Sequence, residues 1–425
     1  MRRRVVITGA GSISPLGVEV DEVWNRAAGG KSGVGPITIF DATKFPVRIA
    51  AEVRNWNPAE MGEGWQRWKD HPRQTQFAIA AALKAFRSAG LSDTAIDPLR
   101  MGVYLGCGEI FPDFQTTCRR TAEATDIAGF QLDAFLAIAA EASGHDSDSL
   151  LEPASAVSSI ASILNAQGPN SNFTTACVSS NIALGEAAEV IRRGEADVMF
   201  TGGAHSMIHP YGIAGFHRLS TLSTNNADPK GASRPFDLDR DGFVVGEGGI
   251  LLVLEEFEHA RRRGADIWAE VTGWGSSHDA YRITDLEPRA RSAVRCIKLA
   301  FDDAGLNTDE IDYINAHGSG TVLNDRVETV SLKQAFGERA YRIPISSTKS
   351  MTGHLTTACA AMETLLSLMA LRRGVVPPTI NYETPDPDCD LDYVPNAARD
   401  VRCRHVLKNS VGFGGHNVAV VLSRV

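Results

Sequence analysis

The sequence predicts an α/β chain built from two similar halves. Short β-branched runs alternate with long Ala-rich helical stretches throughout, the pattern of parallel sheets covered by helices on both faces. A motif also repeats: Ala85-Phe86-x-x-Ala89-Gly90-Leu91 returns as Ala300-Phe301-x-x-Ala304-Gly305-Leu306, 215 residues further on. The same offset carries Ile96-Asp97 onto Ile311-Asp312, and both copies then run into an apolar stretch ending in Gly106 or Gly318. At 425 residues and 43% hydrophobic composition, the chain can bury a large core.

Taken in order, Arg4-Val-Val-Ile-Thr-Gly9 is a strand run with a counterpart in Ile267-Trp-Ala-Glu-Val-Thr-Gly273. The preceding arginines imitate a signal peptide, but the apolar run stops at Thr8-Gly9-Ala10-Gly11, so the start reads as that of a mature chain. That glycine pair lacks the third glycine of a dinucleotide fingerprint, and Ile37 to Ile39 stand where an acidic ribose partner belongs. Val178 to Arg193 places Ile182, Ala183, Ala187, Val190 and Ile191 in a wide stripe and stops before Gly194, which predicts a buried helix. Asp237-Leu-Asp239-Arg-Asp241-Gly242 opens like a calcium loop, but Gly248 holds the position of the bidentate Glu, so it reads as a polar turn. The halves join near residue 260, giving units 1–260 and 261–425 without a Pro- or Ser-rich linker. Even the apolar segment Met362 to Leu371 carries Glu363, so no membrane span is expected.

Composition narrows the function. Lys plus Arg total 42 against 51 Asp plus Glu, a net charge of −9, which argues against gripping nucleic acid. The seven cysteines show no CxxC spacing, which excludes a zinc ribbon and favours a reducing cytoplasmic home.

Four small-residue loops end strand-like runs, where α/β proteins place ligands: Thr174-Thr-Ala-Cys177-Val-Ser-Ser-Asn181, Asn315-Ala-His317-Gly-Ser-Gly-Thr321, Ser346-Ser-Thr-Lys349-Ser-Met-Thr-Gly353-His354 and Asn409-Ser-Val-Gly-Phe413-Gly-Gly-His-Asn417. Cys177 directly precedes the buried helix, whose N-terminus is expected to stabilise a thiolate. Taken alone, it fits a packed structural thiol as well as a nucleophile. His317 and His354 are each flanked by glycine, which leaves ligand room at the rings. They have no HxH or HxxxH partner that would suggest zinc, and no metal is expected. Gly412-Phe-Gly-Gly415 reads as a tight turn or as an oxyanion hole, and Lys349 either as a surface charge or as a partner of Glu363.

In their order and spacing these loops, with Ala232 to Gly249 (ASRPFDLDRDGFVVGEGG), resemble the elongating type II β-ketoacyl-[acyl carrier protein] synthases over nearly the whole chain. The resemblance implies a thiolase-like fold, two duplicated halves in a five-layer αβαβα arrangement. It implies that Cys177 accepts an acyl group as a thioester, with the N–H groups of Cys177 and Phe413 as oxyanion hole. It also implies that His317 and His354 bind the thioester carbonyl of a malonyl unit as it loses carbon dioxide, that Lys349 and Glu363 organise the His354 loop, and that Ser319, Thr321, Phe216 and Phe413 contact substrate. No bound cofactor is implied, since substrates ride on the phosphopantetheine of an acyl carrier protein.

That carrier is acidic, so a local basic face is expected on this acidic chain, with Arg67, Lys69 and Arg73 in the family position. A homodimer is implied, or a heterodimer with a chain-length partner if the chain is the ketosynthase of a type II polyketide system. A third reading is a non-catalytic paralogue, which has no chemical reason to keep Cys177, His317 and His354 together. The chain departs from the family pattern at Val178 to Asn181, Val411, His416 and Thr356 to Cys359. It also carries an insert near 109–150 in which Glu109, Phe111, Phe114, Phe130 and Phe135 suggest an altered or shortened acyl tunnel.

Overall fold

The computed structural model describes residues 2–92, 96–142 and 149–425. The N-terminal half supplies strands β1 (Val5–Ile13), β2 (Met101–Cys107), β3 (Asn170–Phe173), β4 (Val198–Ser206) and β5 (Glu247–Glu256). The C-terminal half supplies β6 (Ala269–His278), β7 (Tyr313–Asn315), β8 (Ile345–Ser346), β9 (His405–Gly412) and β10 (His416–Ser423). The first five lie in the order β3-β2-β4-β5-β1 and the second five in the equivalent order β8-β7-β9-β10-β6. In both halves the first two pairings along that order are parallel and the next two antiparallel. The wholly parallel sheets expected from the alternating pattern are therefore mixed sheets. The tight turn between β9 and β10 shows why, since a short connection joins only antiparallel neighbours. The two halves meet at one antiparallel pairing, Val6 with Glu270 and Ile7 with Ala269.

The principal helices are α1 (Arg73–Ser88), α2 (Phe114–Glu123), α3 (Leu132–Ala142), α4 (Ser179–Arg192), α5 (Arg291–Ala304), α6 (Val322–Phe336) and α7 (Cys359–Arg373), of which α2 and α3 pack mainly on each other rather than on the ten strands. α4 and α7 touch each other and strands of both halves, forming the middle layer, while α1 and α5 pack on the outer faces. This is the five-layer thiolase-like arrangement. The middle helices are correspondingly apolar on nearly every side; α7 is buried from Cys359 through Leu371. The insert helices α2 and α3 have no buried residue assigned and leave Ile127, Phe130, Leu132 and Leu136 exposed; residues 143–148 of the insert lie outside the described residues.

The internal repeat has a physical cause. Its two glycines, Gly90 and Gly305, end α1 and α5 with φ of +65° and +66°. The alanines before them pack on glycines of β1 and β6. A Cβ on Gly9 would lie 2.5 Å from the Ala89 nitrogen, and one on Gly273 would lie 2.6 Å from the Ala304 nitrogen. Gly11 and Gly275 meet α1 and α5 equally closely, at 2.0 Å from the Ala81 oxygen and 2.4 Å from the Cys296 oxygen. The Gly9-Ala-Gly11 pair is thus a helix-packing device.

Two glycine substitutions follow from this. Gly11→Ala and Gly275→Ala should each destabilise the protein by about 1–3 kcal/mol, because backbone rather than a movable side chain blocks the added methyl. Chemical denaturation checks this, and an unchanged midpoint would contradict it.

Candidate active site

Cys177 sits in a single turn, Ala176–Val178, immediately ahead of α4. Ala176 is held at φ 51°, a conformation disfavoured for a residue with a side chain. Ser179 fixes the turn by accepting the Thr175 N–H at 2.8 Å and donating to the Ala176 carbonyl at 2.6 Å. His317 follows β7. Its own N–H and that of Gly318 both donate to the Glu328 carboxylate of α6 at 2.7 Å. His354 follows Gly353, whose φ of +65° turns the chain, and its N–H donates to the Val244 carbonyl at 2.8 Å. Phe413 lies in the turn between β9 and β10.

These four loops converge. The Cys177 sulfur and one ring nitrogen each of His317 and His354 all lie within 4.8 Å of one another. The two rings are 5.4 Å apart at 78°. The group lines a cavity of about 620 Å³, together with Ser319, Thr321, Phe216 and Phe413. The hydrogen-bond network assigns the protons. His354 Nδ1 accepts the Thr356 N–H at 2.9 Å, and His317 Nδ1 faces the Lys349 ammonium at 3.3 Å. Both rings therefore carry their proton on Nε2. Burial, reinforced by Lys349, holds both imidazoles well below the usual histidine range, so the pair is neutral.

The thiol departs from expectation. Burial pushes Cys177 up to about 11, against the opposing effects of Lys349 and of the N–H groups of Phe413 and Cys177 itself. The thiolate expected from the helix N-terminus is thus a resting thiol, because loss of hydration outweighs the local positive potential. The same two N–H groups that reach the sulfur are the expected oxyanion donors.

Behind the histidines lies a buried ionic network. Lys349 pairs with Glu363 and donates to the His317 carbonyl, and Lys408 lies 2.8 Å from the other Glu363 oxygen. Burial lowers Lys408, whereas Glu363 keeps Lys349 above its ordinary value. Glu328 holds the His317 loop and also accepts from Asn409 at 2.7 Å. Two cations and two carboxylates are thereby balanced out of contact with water. Sequence reading missed Lys408 and Glu328. The signal was a lone charge in the strand-like run Val406-Leu-Lys408-Asn-Ser-Val411, since a lysine there demands a buried partner. Cys359 was missed too; its thiol donates to the Cys177 carbonyl at 3.2 Å.

Other expected residues are placed differently. The Arg73 guanidinium is drawn inward onto buried Glu247, at 2.6 Å, and the Val53 carbonyl, so it is not offered to a partner. Arg67 and Lys69 are exposed, with Arg67 over the Trp68 ring. Of the insert residues singled out, Glu109 lines the cavity, but Phe111, Phe114, Phe130 and Phe135 do not. Phe111 stacks on His209 instead, and Phe130 pairs with Phe135. Cys177, His317 and His354 form a zinc-type donor set, but the Lys349 ammonium beside His317 opposes a second cation there.

Alkylation of Cys177 by iodoacetamide, followed by intact mass, should keep accelerating beyond about pH 9.5, because the ordinary thiol plateau is displaced upward. A plateau at the ordinary value would contradict the burial argument. Lys408→Met should cost about 3–5 kcal/mol by leaving Glu363 and Glu328 undercompensated, and adding Glu328→Gln should recover part of that loss in a denaturation cycle.

Residues 2–260 match the beta-ketoacyl synthase N-terminal domain and residues 268–383 its C-terminal domain. The 3-oxoacyl-[acyl-carrier-protein] synthase 2 of Coxiella burnetii is 42% identical over 432 residues, covering 100% of this chain and 99% of that protein. The tetracenomycin polyketide synthase ketoacyl synthase alpha subunit of Streptomyces glaucescens is 40% identical over 426 residues, covering 99% and 97%. Among solved structures, a type II polyketide ketosynthase complex with its acyl-carrier protein, bound to a hexaketide, superposes with a TM-score of 0.89 at 36% identity over 100% of both chains. The ishigamide ketosynthase/chain length factor gives 0.86 at 35% identity, again over 100% of both. Matched along most of its length and aligned end to end with such relatives, this chain belongs to the beta-ketoacyl synthase family.

Proposed function

We propose that the protein is a β-ketoacyl-[acyl carrier protein] synthase, extending an acyl chain by two carbons through decarboxylative condensation. One observation carries the reading: a thiol and two neutral imidazoles, both presenting Nε2–H, line one cavity with their donor atoms inside 4.8 Å. In the first step the Cys177 sulfur adds to the thioester carbonyl of an acyl carrier protein, and the Cys177 and Phe413 N–H groups hold the developing oxyanion. The carrier thiol leaves with the proton, and the acyl group stays on sulfur.

In the second step the carbonyl of a malonyl thioester lies between the Nε2–H groups of His317 and His354. The bond to its carboxylate breaks, carbon dioxide departs, and the electron pair becomes an enolate stabilised by the two donors. Neutral rings suit this role, since they donate hydrogen bonds without surrendering a full proton. The enolate carbon then attacks the Cys177 thioester, the carbon–sulfur bond breaks, and the thiolate takes up a proton. Ser319 and Thr321, hydrogen-bonded to each other at 2.9 Å, line the cavity where the phosphopantetheine arm would enter, with Phe216 and Phe413 beside them. No resident cofactor takes part in these steps. Arg67 and Lys69 remain as exposed basic groups for an acidic carrier protein.

Exposed Ile127, Phe130, Leu132 and Leu136 on the insert favour an assembly with a second chain, either a copy of this one or a chain-length partner. The second arrangement would make the protein the ketosynthase subunit of a type II polyketide-like system. Among the described residues no helix is long and apolar enough to cross a membrane, which fits a cytoplasmic setting.

Cys177→Ser should abolish acyl loading from acyl carrier proteins, read by intact mass. His317→Ala or His354→Ala should lower malonyl decarboxylation by ~10²–10³ while loading persists, because each removes one oxyanion donor. Loading of the Ser variant, or unimpaired carbon dioxide release by both His variants, would overturn the assignment.

A further inference from the structure

Lys408 takes no part in the steps above, yet it is fully buried in β9 and is not among the residues that line the cavity. Its ammonium has two partners, the backbone carbonyl of Asn409 and one oxygen of Glu363 at 2.8 Å. The other Glu363 oxygen pairs with Lys349, which in turn faces His317 Nδ1 at 3.3 Å and donates to the His317 carbonyl. Asn409 supplies a second connection. Its side chain donates to Glu328, the carboxylate that holds the His317 and Gly318 N–H groups. Two routes of polar contacts therefore run from Lys408 to His317.

Lys349 with Glu363 alone would be a neutral pair, whose field at the His317 ring largely cancels. A second ammonium on the same carboxylate leaves that trio positive, so the charge facing Nδ1 is no longer offset. An ammonium at Nδ1 keeps the ring proton on Nε2 and polarises that N–H toward a developing enolate oxygen. Titratable groups on the other surrounding elements supply no such charge. Burial pushes Cys177 up to about 11, raises Cys359 and Tyr313, and brings His205 down to about 4, so all four are uncharged. We propose that Lys408 is a positioning residue for decarboxylation: by sharing Glu363 it leaves the Lys349 ammonium engaged on His317 Nδ1, which fixes and strengthens the Nε2–H donor. This rests on the reading of His317 and His354 as enolate donors. Acyl transfer to Cys177 uses different donors, the Cys177 and Phe413 N–H groups, and does not draw on Lys408.

Full-length Lys408→Met is compared with wild type in two assays, carbon dioxide release from malonyl carrier protein and, by intact mass, hexanoyl loading on Cys177. The kcat of release should fall about tenfold at unchanged KM, while loading stays within about twofold. Loss of a nearby positive charge favours the imidazolium, so the acid limb of the release profile should move upward by about one pH unit. Adding Glu363→Gln removes the carboxylate that the two lysines shared. The double variant should recover release to within about threefold of wild type and return the acid limb to its original place.

Release and loading that fall together in Lys408→Met, with the acid limb unmoved, would overturn the proposal, since Lys408 would then be only a brace for the fold. Unimpaired release by the folded single variant does the same. Where the single variant does not fold, the double variant decides: recovered release supports the proposal, and normal loading with a persistent tenfold deficit in release overturns it. A wild type that releases no carbon dioxide removes the condensing reading and the proposal with it, a result distinct from any deficit confined to the variants.

Discussion

One carboxylate, Glu363, lies between two buried ammonium groups, and the placement of the reactive residues depends on it. Burying any one of these charges alone is prohibitive; together with Glu328 they form a neutral set, each member stabilised only while the others stay in place. The members come from α6, the segment before His354, α7 and β9. Lys349 reaches from Glu363 to the His317 carbonyl and ring, Glu328 holds the His317 and Gly318 N–H groups, and Lys408 begins the segment that ends in the Phe413 turn. Loops that would otherwise move independently are thereby tied to the central helix layer.

The same dehydration sets the chemistry. It keeps both imidazoles neutral, and their Nδ1 partners then direct both protons to Nε2. It also makes Cys177 a reluctant acid. A site of this kind stores no free thiolate. It gains from substrate, because a thioester in the cavity brings its carbonyl oxygen to the N–H groups that already reach the sulfur, and their stabilisation is realised as negative charge moves onto that oxygen.

The duplicated architecture explains why such a site exists at all. Each half contributes a sheet and a helix to the middle of the molecule, and the close helix approach permitted by Gly9, Gly11, Gly273 and Gly275 lets both halves pack at the same spacing. Cys177 comes from the N-terminal half and both histidines from the C-terminal half. The chemistry therefore belongs to neither half alone, and it sits where α4 and α7 meet.

Much of this was legible in the amino-acid order. The repeat around Gly90 and Gly305, the buried helix after Cys177 and the four small-residue loops all follow from local rules: periodicity, helix termination and the need for small residues where chain or ligand comes close. Their separation along the chain hid the rest. Strand order depends on which connections are tight, so the antiparallel pairs in each sheet were not visible from alternation alone. Arg73 looks like a surface charge until Glu247 is brought beneath it, and Lys408 looks misplaced in a strand until Glu363 arrives from another element. Ionisation is decided by surroundings rather than by neighbours in sequence. The residue types fixed which groups were available to react, and only folding, by excluding water from them, decided their protonation.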